Sequence, residues 1–428
     1  MADNNDVTRV LMLSWEYPPH LEGGLGRHVA ELAPELANYG LDVHVITPVG
    51  EPTLEQLRGQ SVDPDKDWNN NISDRVKVST EDGLVVHRVA TQHKHQPTDI
   101  YTRVSEVNRD LQDYALKIKL NYGTCGLIHT HDWLTGFTAR ALRQAWHCPL
   151  VATIHATERG RGRGYLMNGL QRAIDAAEHD LIRESDRVIV CSHHMFAEVK
   201  TFFQVDGEKM SVVPNGVNLV NLNNHPTGDL TKFRARYAAP HEKIVFSVAR
   251  LVYEKGIHRL IDAVQMIQSN CPDTVFIIAG KGPEAENLRR RAESLGPAGE
   301  KIKFIGFIPD EERNQLLKVA DCAVFPSLYE PFGIVALEAM ALGCPVVVSD
   351  VGGLAEVVTH DKTGTTVFPD NPESIAWGVV RTLTQPEFTS HLVANAHKWV
   401  EETFTWHRIA ALTAEVYRQT CHAHRKNT

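Results

Sequence analysis

Short runs of valine, isoleucine and leucine alternate along the chain with stretches whose apolar residues recur every three or four positions. Such runs, bounded by turn residues, read as buried parallel strands, and the stretches between them as amphipathic helices. In the first half the pattern predicts strands over Val10–Glu16, Asp42–Thr47, Leu84–Val89, Leu127–Asp132, Leu150–His155, Arg187–Cys191 and Ser211–Val213. After Gly23-Gly24-Leu25-Gly26, apolar residues at Val29, Leu32 and Leu36 predict a helix, which Gly40 stops. A second series predicts strands over Lys243–Ala249, Thr274–Ala279, Lys303–Phe307, Cys322–Pro326 and Pro345–Ser349. Between the two series, Pro214 to Gly228 is rich in asparagine, proline and glycine and reads as a linker, with the boundary near Val217 to Leu230. From Trp406 to Tyr417, Ile409, Leu412 and Val416 fall at helical spacing and predict one more amphipathic helix.

Length agrees with two domains, since 428 residues exceed what one hydrophobic core usually organises. A net charge of -9 argues against a non-specific nucleic-acid or anionic-membrane binder. The seven cysteines show no C-x-x-C spacing and read as free thiols, as expected in the cytoplasm. The N-terminus lacks an apolar signal core, and the longest apolar run, Ile334 to Val348, is interrupted by Glu338, Gly343 and Pro345. No integral membrane segment is therefore expected. Residues 51 to 80 are polar and read as an exposed loop; the Asp63-Pro-Asp65 within it is read as loop rather than as a metal ligand pair.

Two α/β domains joined by a linker place a ligand in the interdomain cleft, at the carboxyl ends of the strands. Three elements there point to a phosphate. Gly23-Gly24-Leu25-Gly26 follows a strand and opens a helix, where backbone N–H groups attract an anion. Taken alone it serves a tight turn without ligand equally well, and it lacks the G-x-G-x-x-G of a dinucleotide site. Arg250 and Lys255-Gly256 follow the strand at 243, and the pair suits a diphosphate better than it suits two idle surface cations. In Glu330-Pro331-Phe332-Gly333-Ile334, Glu330 stands just before a helix, beside the N–H groups of Gly333 and Ile334. Glu338 lies about 12 Å further along the helix axis, among apolar neighbours that call for a buried partner. His155 ends one strand and His129-Thr130-His131-Asp132 ends another. Histidines two apart share a strand face and suit zinc, but no cysteine or carboxylate completes a set, so no metal site is assigned. His407, His422 and His424 read as surface residues.

The ordered set of these elements resembles glycosyltransferase family 4, a retaining group similar to glycogen and starch synthases. The resemblance rests on Glu16-Tyr-Pro-Pro-His20 with Gly23-Gly24-Leu-Gly26, His129-Thr-His131-Asp132-Trp133, Thr153-Ile-His155, and Val213-Pro-Asn215-Gly-Val217. It continues through Arg250 with Lys255-Gly256, Ala279-Gly280-Lys-Gly282, Glu330-Pro-Phe-Gly333 to Glu338, Gly352-Gly353 and Gly364. It implies a GT-B fold, two Rossmann-like domains with parallel sheets facing across a cleft. Residues 1–220 would form the acceptor domain and 240–400 the nucleotide-sugar domain, with 401–428 a helix returning to the first.

By the same resemblance, Arg250 and Lys255 hold the donor diphosphate and Glu338 the ribose. Glu330 and the N–H groups of Phe332, Gly333 and Ile334 hold the donor sugar. Gly23 and Gly24 approach the phosphates, and His155 lies over the reacting carbon. The implied reaction uses no cofactor or metal. It moves a hexosyl group, expected to be glucosyl, from UDP-glucose or ADP-glucose to a carbohydrate acceptor such as an α-glucan. One departure stands out: Leu21-Glu22 precedes the Gly-Gly pair where bacterial glycogen synthases carry a lysine. The competing readings are a transferase to a small or lipid-linked acceptor, a sugar-nucleotide epimerase, and a non-catalytic nucleotide-sugar-binding protein.

Overall fold

The computed structural model describes residues 9–21, 23–59, 75–91, 99–122, 125–223 and 228–427. They form two compact units, one built from the chain up to Pro214 together with Trp406 onward, the other from Asn215–Thr405. Both are α/β, and the final helix belongs to the first unit.

The first unit is built on eight strands: β1 (Arg9–Leu13), β2 (Asp42–Val49), β3 (Val76–Glu81), β4 (Leu84–Ala90), β5 (Leu127–His131), β6 (Leu150–Ile154), β7 (Arg187–Val190) and β8 (Met210–Val212). Their order is β3-β4-β2-β1-β5-β6-β7-β8, so the chain reverses its winding direction between β1 and β5. All pairings are parallel except β3 with β4. That hairpin turns through Asp82 (φ 47°) and Gly83 (φ 82°), the two left-handed residues a tight hairpin requires. It corrects the reading of residues 51 to 80 as loop, since a helix occupies Glu51–Leu57 and β3 occupies Val76–Glu81. As an edge strand with no fully buried residue, β3 carries too little apolar patterning to be seen. Asp63 and Asp65 lie outside the described residues.

The helix Gly24–Asn38 buries Val29, Leu32 and Leu36, and Gly40 (φ 100°) turns the chain away from it. The final helix, Trp406–Asn427, packs on it through Trp406, Ile409, Val416 and Tyr417. Leu412, expected on that face, is instead 40% exposed, and the inward stripe passes through Thr413.

The second unit carries six parallel strands: β9 (Lys243–Val248), β10 (Thr274–Ala279), β11 (Ile302–Gly306), β12 (Cys322–Phe325), β13 (Val346–Ser349) and β14 (Thr365–Val367). They are ordered β11-β10-β9-β12-β13-β14, again switching direction, here between β9 and β12. Strand β10 is buried along its whole length, which explains its unbroken apolar reading. Among the described residues no helix is long and apolar enough to cross a membrane.

Candidate active site

In the second unit the predicted residues gather at the carboxyl ends of β9 and β12. After β9, Arg250 is exposed and makes no side-chain ion pair among the described residues. A single 3-10 turn, Tyr253–Lys255, follows, closed by Gly256 at φ 65°. A β-carbon at Gly256 would stand 1.9 Å from the Pro326 carbonyl oxygen. Only glycine lets this turn sit against the loop after β12, and that contact brings together residues 75 positions apart: Lys255 Nζ lies 2.7 Å from Glu330 Oε2. Ser327 Oγ donates to the same oxygen at 3.2 Å, and the Gly353 N–H donates to the Glu330 carbonyl at 2.9 Å. Glu330 is therefore fixed at both ends.

Gly333, at φ 108°, starts the helix Ile334–Ala341 without a side-chain cap, so its first N–H groups remain available to an anion or a sugar hydroxyl. Phe332 is buried against Phe404. Glu338 is buried, and the partner its setting demands is Arg313, whose Nη2 lies 3.2 Å from Glu338 Oε1. Arg313 also donates to Asn314 Oδ1 and Asp310 Oδ1. The sequence reading missed it, although the signal was there. In the helix Asp310–Val319, Arg313 precedes the buried Leu316 and Leu317 by three and four positions, which puts a cation on the inward face.

In the first unit, adjacent parallel strands bring two histidine motifs together. β5 and β6 pair with His131 opposite Thr153, and His155 stands just past the end of β6. His131 Nδ1 and His155 Nε2 are 3.1 Å apart. His28, from the helix Gly24–Asn38, adds a third ring whose centroid is 4.7 Å from that of His155, and Trp406 meets His28 edge-on at 5.3 Å. The sequence reading did not single out His28. Asp132, at φ 57°, accepts the His155 N–H at 2.7 Å, and burial lifts its carboxyl to about 6. Burial holds His155 down at about 3, so its imidazole is neutral near pH 7. It can exchange hydrogen bonds with a sugar hydroxyl but supplies no fixed positive charge. His129 lies deeper, with Nε2 2.7 Å from Thr153 Oγ1 and Nδ1 2.6 Å from the Tyr417 hydroxyl.

Glu16 Oε2 accepts the Gly23 N–H at 3.0 Å, and a β-carbon at Gly26 would come within 2.6 Å of the same oxygen. This glycine-rich turn therefore has a carboxylate at its mouth, with Gly24 exposed at the first helical position. His407 is exposed as expected, whereas His424 is only partly so, its Nε2 lying 3.2 Å from the His147 carbonyl. A groove of about 480 Å³ beside Trp377, Arg381 and Met266 is lined by none of the predicted residues.

These arrangements place a paired lysine and carboxylate beside an open helix start at strand ends. The family profile "Glycosyltransferase Family 4" matches residues 22–221, and "Glycosyl transferases group 1" matches residues 230–399. The chain is 37% identical to an uncharacterised glycosyltransferase of Methanocaldococcus jannaschii over 96% of its own length and 98% of that protein's. It is 34% identical to the glycogen synthase of Mycobacterium tuberculosis over 96% of this chain and 94% of that one. Among solved structures, sucrose-phosphate synthase from Thermosynechococcus elongatus superposes with a TM-score of 0.76 at 26% identity, covering 97% of this chain and all of that one. The chain belongs to glycosyltransferase family 4, with the GT-B fold of the glycogen, starch and sucrose-phosphate synthases.

Proposed function

We propose that the protein is a retaining, metal-independent hexosyltransferase of the cytoplasm, moving a glucosyl group from UDP-glucose or ADP-glucose to an α-glucan. The observation that carries the reading is the Lys255–Glu330 pair, 2.7 Å long, at the open start of the helix Ile334–Ala341. In the transition state, the sugar–phosphate bond breaks and negative charge collects on the departing diphosphate. Lys255 and Arg250 face that charge, doing what a magnesium ion does elsewhere. Glu338 takes the ribose hydroxyls, while Glu330 and the N–H groups from Phe332 to Ile334 take the sugar. His155, neutral, offers a hydrogen bond near the reacting carbon. Glu330 is held by Lys255 and Ser327, so it suits positioning better than covalent attack. Retention then follows from same-face attack, with a donor phosphate oxygen taking the acceptor proton. The glucan acceptor is favoured by the likeness to a glycogen synthase across nearly the whole chain.

The test is a donor panel of UDP-glucose, ADP-glucose, GDP-mannose and UDP-N-acetylglucosamine, with and without maltooligosaccharide, following nucleoside diphosphate release in EDTA. The expected result is release from one glucose donor that rises with added glucan. Stimulation by a sugar phosphate instead would shift the acceptor to a small molecule, the reading favoured by the likeness to a sucrose-phosphate synthase. Binding of a donor without turnover would make the protein a nucleotide-sugar-binding regulator.

A further inference from the structure

Three imidazoles from separate elements of the first unit converge. One ring nitrogen from each of His28, His131 and His155 lies within 4.8 Å of the others, and no other such group of three occurs among the described residues. His131 Nδ1 and His155 Nε2 stand 3.1 Å apart, close to the spacing of two nitrogens on one tetrahedral zinc with bonds of about 2.0–2.1 Å. A cation between them would replace their hydrogen bond and take Nδ1 of His131. Its Nε2 is fully buried and has no hydrogen-bond partner among the described residues. His129 adjoins the group but has both nitrogens engaged, by Thr153 and Tyr417, so it braces the ligands rather than joining them.

We propose that His28, His131 and His155 form a binding site for a borderline divalent cation such as zinc, held by three imidazole nitrogens with the remaining position open to water. With no carboxylate in the set, magnesium and calcium are poor occupants. The cation engages His155, so it suppresses transfer rather than supporting it; this consequence alone rests on the transferase reading.

The test uses the full chain, stripped with EDTA and titrated with Zn²⁺ against a chromophoric chelator. One zinc per chain is expected, with H28Q weakening it at least tenfold and H407Q, at an 82% exposed side chain, leaving it unchanged. Cobalt(II) in the wild type should give the intense visible absorption of a four-coordinate site, a reading that does not depend on any variant folding. A pale six-coordinate spectrum, equal zinc affinity in folded H28Q, or no stoichiometric zinc would each overturn the site. Added zinc should also stop nucleoside diphosphate release, and EDTA should restore it; zinc bound at the site without loss of release would overturn the inhibition. Zinc binding by a protein inert towards every donor would keep the site and sink the transferase reading.

Discussion

Lys255 and Glu338 are both charged residues assigned to the donor, yet the structure predicts that they fail differently when removed. The Lys255–Glu330 pair is partly exposed, with side-chain exposures of 19% and 16%, so its contribution to folding is small. Lys255→Gln is expected to lower turnover by about 100- to 1,000-fold, the usual effect of deleting one group that faces developing charge, with little change in urea midpoint. Turnover within threefold of wild type would remove Lys255 from the diphosphate site. Glu338 instead faces the buried Arg313. Glu338→Ala is expected to cost about 3 kcal/mol in stability, because a buried guanidinium loses its carboxylate. Arg313 keeps Asp310 and Asn314, which holds the loss near the low end of the usual range. Glu338→Gln should fold and raise the donor KM about tenfold with less change in kcat. If Glu338→Ala unfolds at the wild-type urea concentration, the pair is not structural. The need for a partner at Glu338 was legible from its apolar neighbours; its identity came from another helix, and pairings between distant elements leave no local pattern.

At the scale of elements, what the sequence revealed follows burial. Strands buried on both faces, such as β10, declare themselves by an unbroken apolar run, whereas the edge strand β3 does not. Glycine and charge coincide at strand ends at Lys255-Gly256 and Glu330 to Gly333, and the structure pairs Lys255 with Glu330. The histidine group was only half legible: His131 and His155 stood out at strand ends, but His28 looked like any residue of an amphipathic helix. The final helix shows how one element supports another. Tyr417 is fully buried and its hydroxyl reaches His129 beneath the histidine group. Tyr417→Phe removes that contact and leaves a buried ring nitrogen without it, at an expected cost of about 1–3 kcal/mol. Thr413→Val, in the same helix, deletes a hydroxyl that bonds only to the Ile409 carbonyl one turn back, and should cost less than about 1 kcal/mol. Equal urea midpoints for the two variants would mean that the helix is held by its apolar face alone.

For the whole molecule, the uneven placement of buried imidazoles makes acid stability a property of one unit. His44, His87, His129, His131 and His155 all belong to the first unit and all have pKa values lowered, chiefly by burial, with His87 and His155 at about 3. Among the described residues of the second unit only His258 is shifted in this way. A histidine lowered on folding stays neutral in the native chain while the unfolded chain takes up a proton below about 6.5. Stability therefore falls as pH drops below that value, and keeps falling until the folded group also protonates, near 3 for His87 and His155. Asp132, raised to about 6, and Glu178, raised by burial, act in the opposite sense, because the folded state keeps their protons at higher pH than the unfolded state does. The five histidines outnumber the two raised carboxyls. Glu81, Glu184, Asp186 and Glu415, each hydrogen-bonded to an arginine and lowered, add to the loss as pH nears 4. The first unit therefore loses stability between about pH 6 and 4. Hydrogen exchange followed by mass spectrometry in that range should show peptides of β1, β5, β6 and the final helix losing protection at higher pH than those of β9, β10 and β12. Simultaneous loss in both units, or earlier loss in the second, would show that the buried histidines do not control acid unfolding.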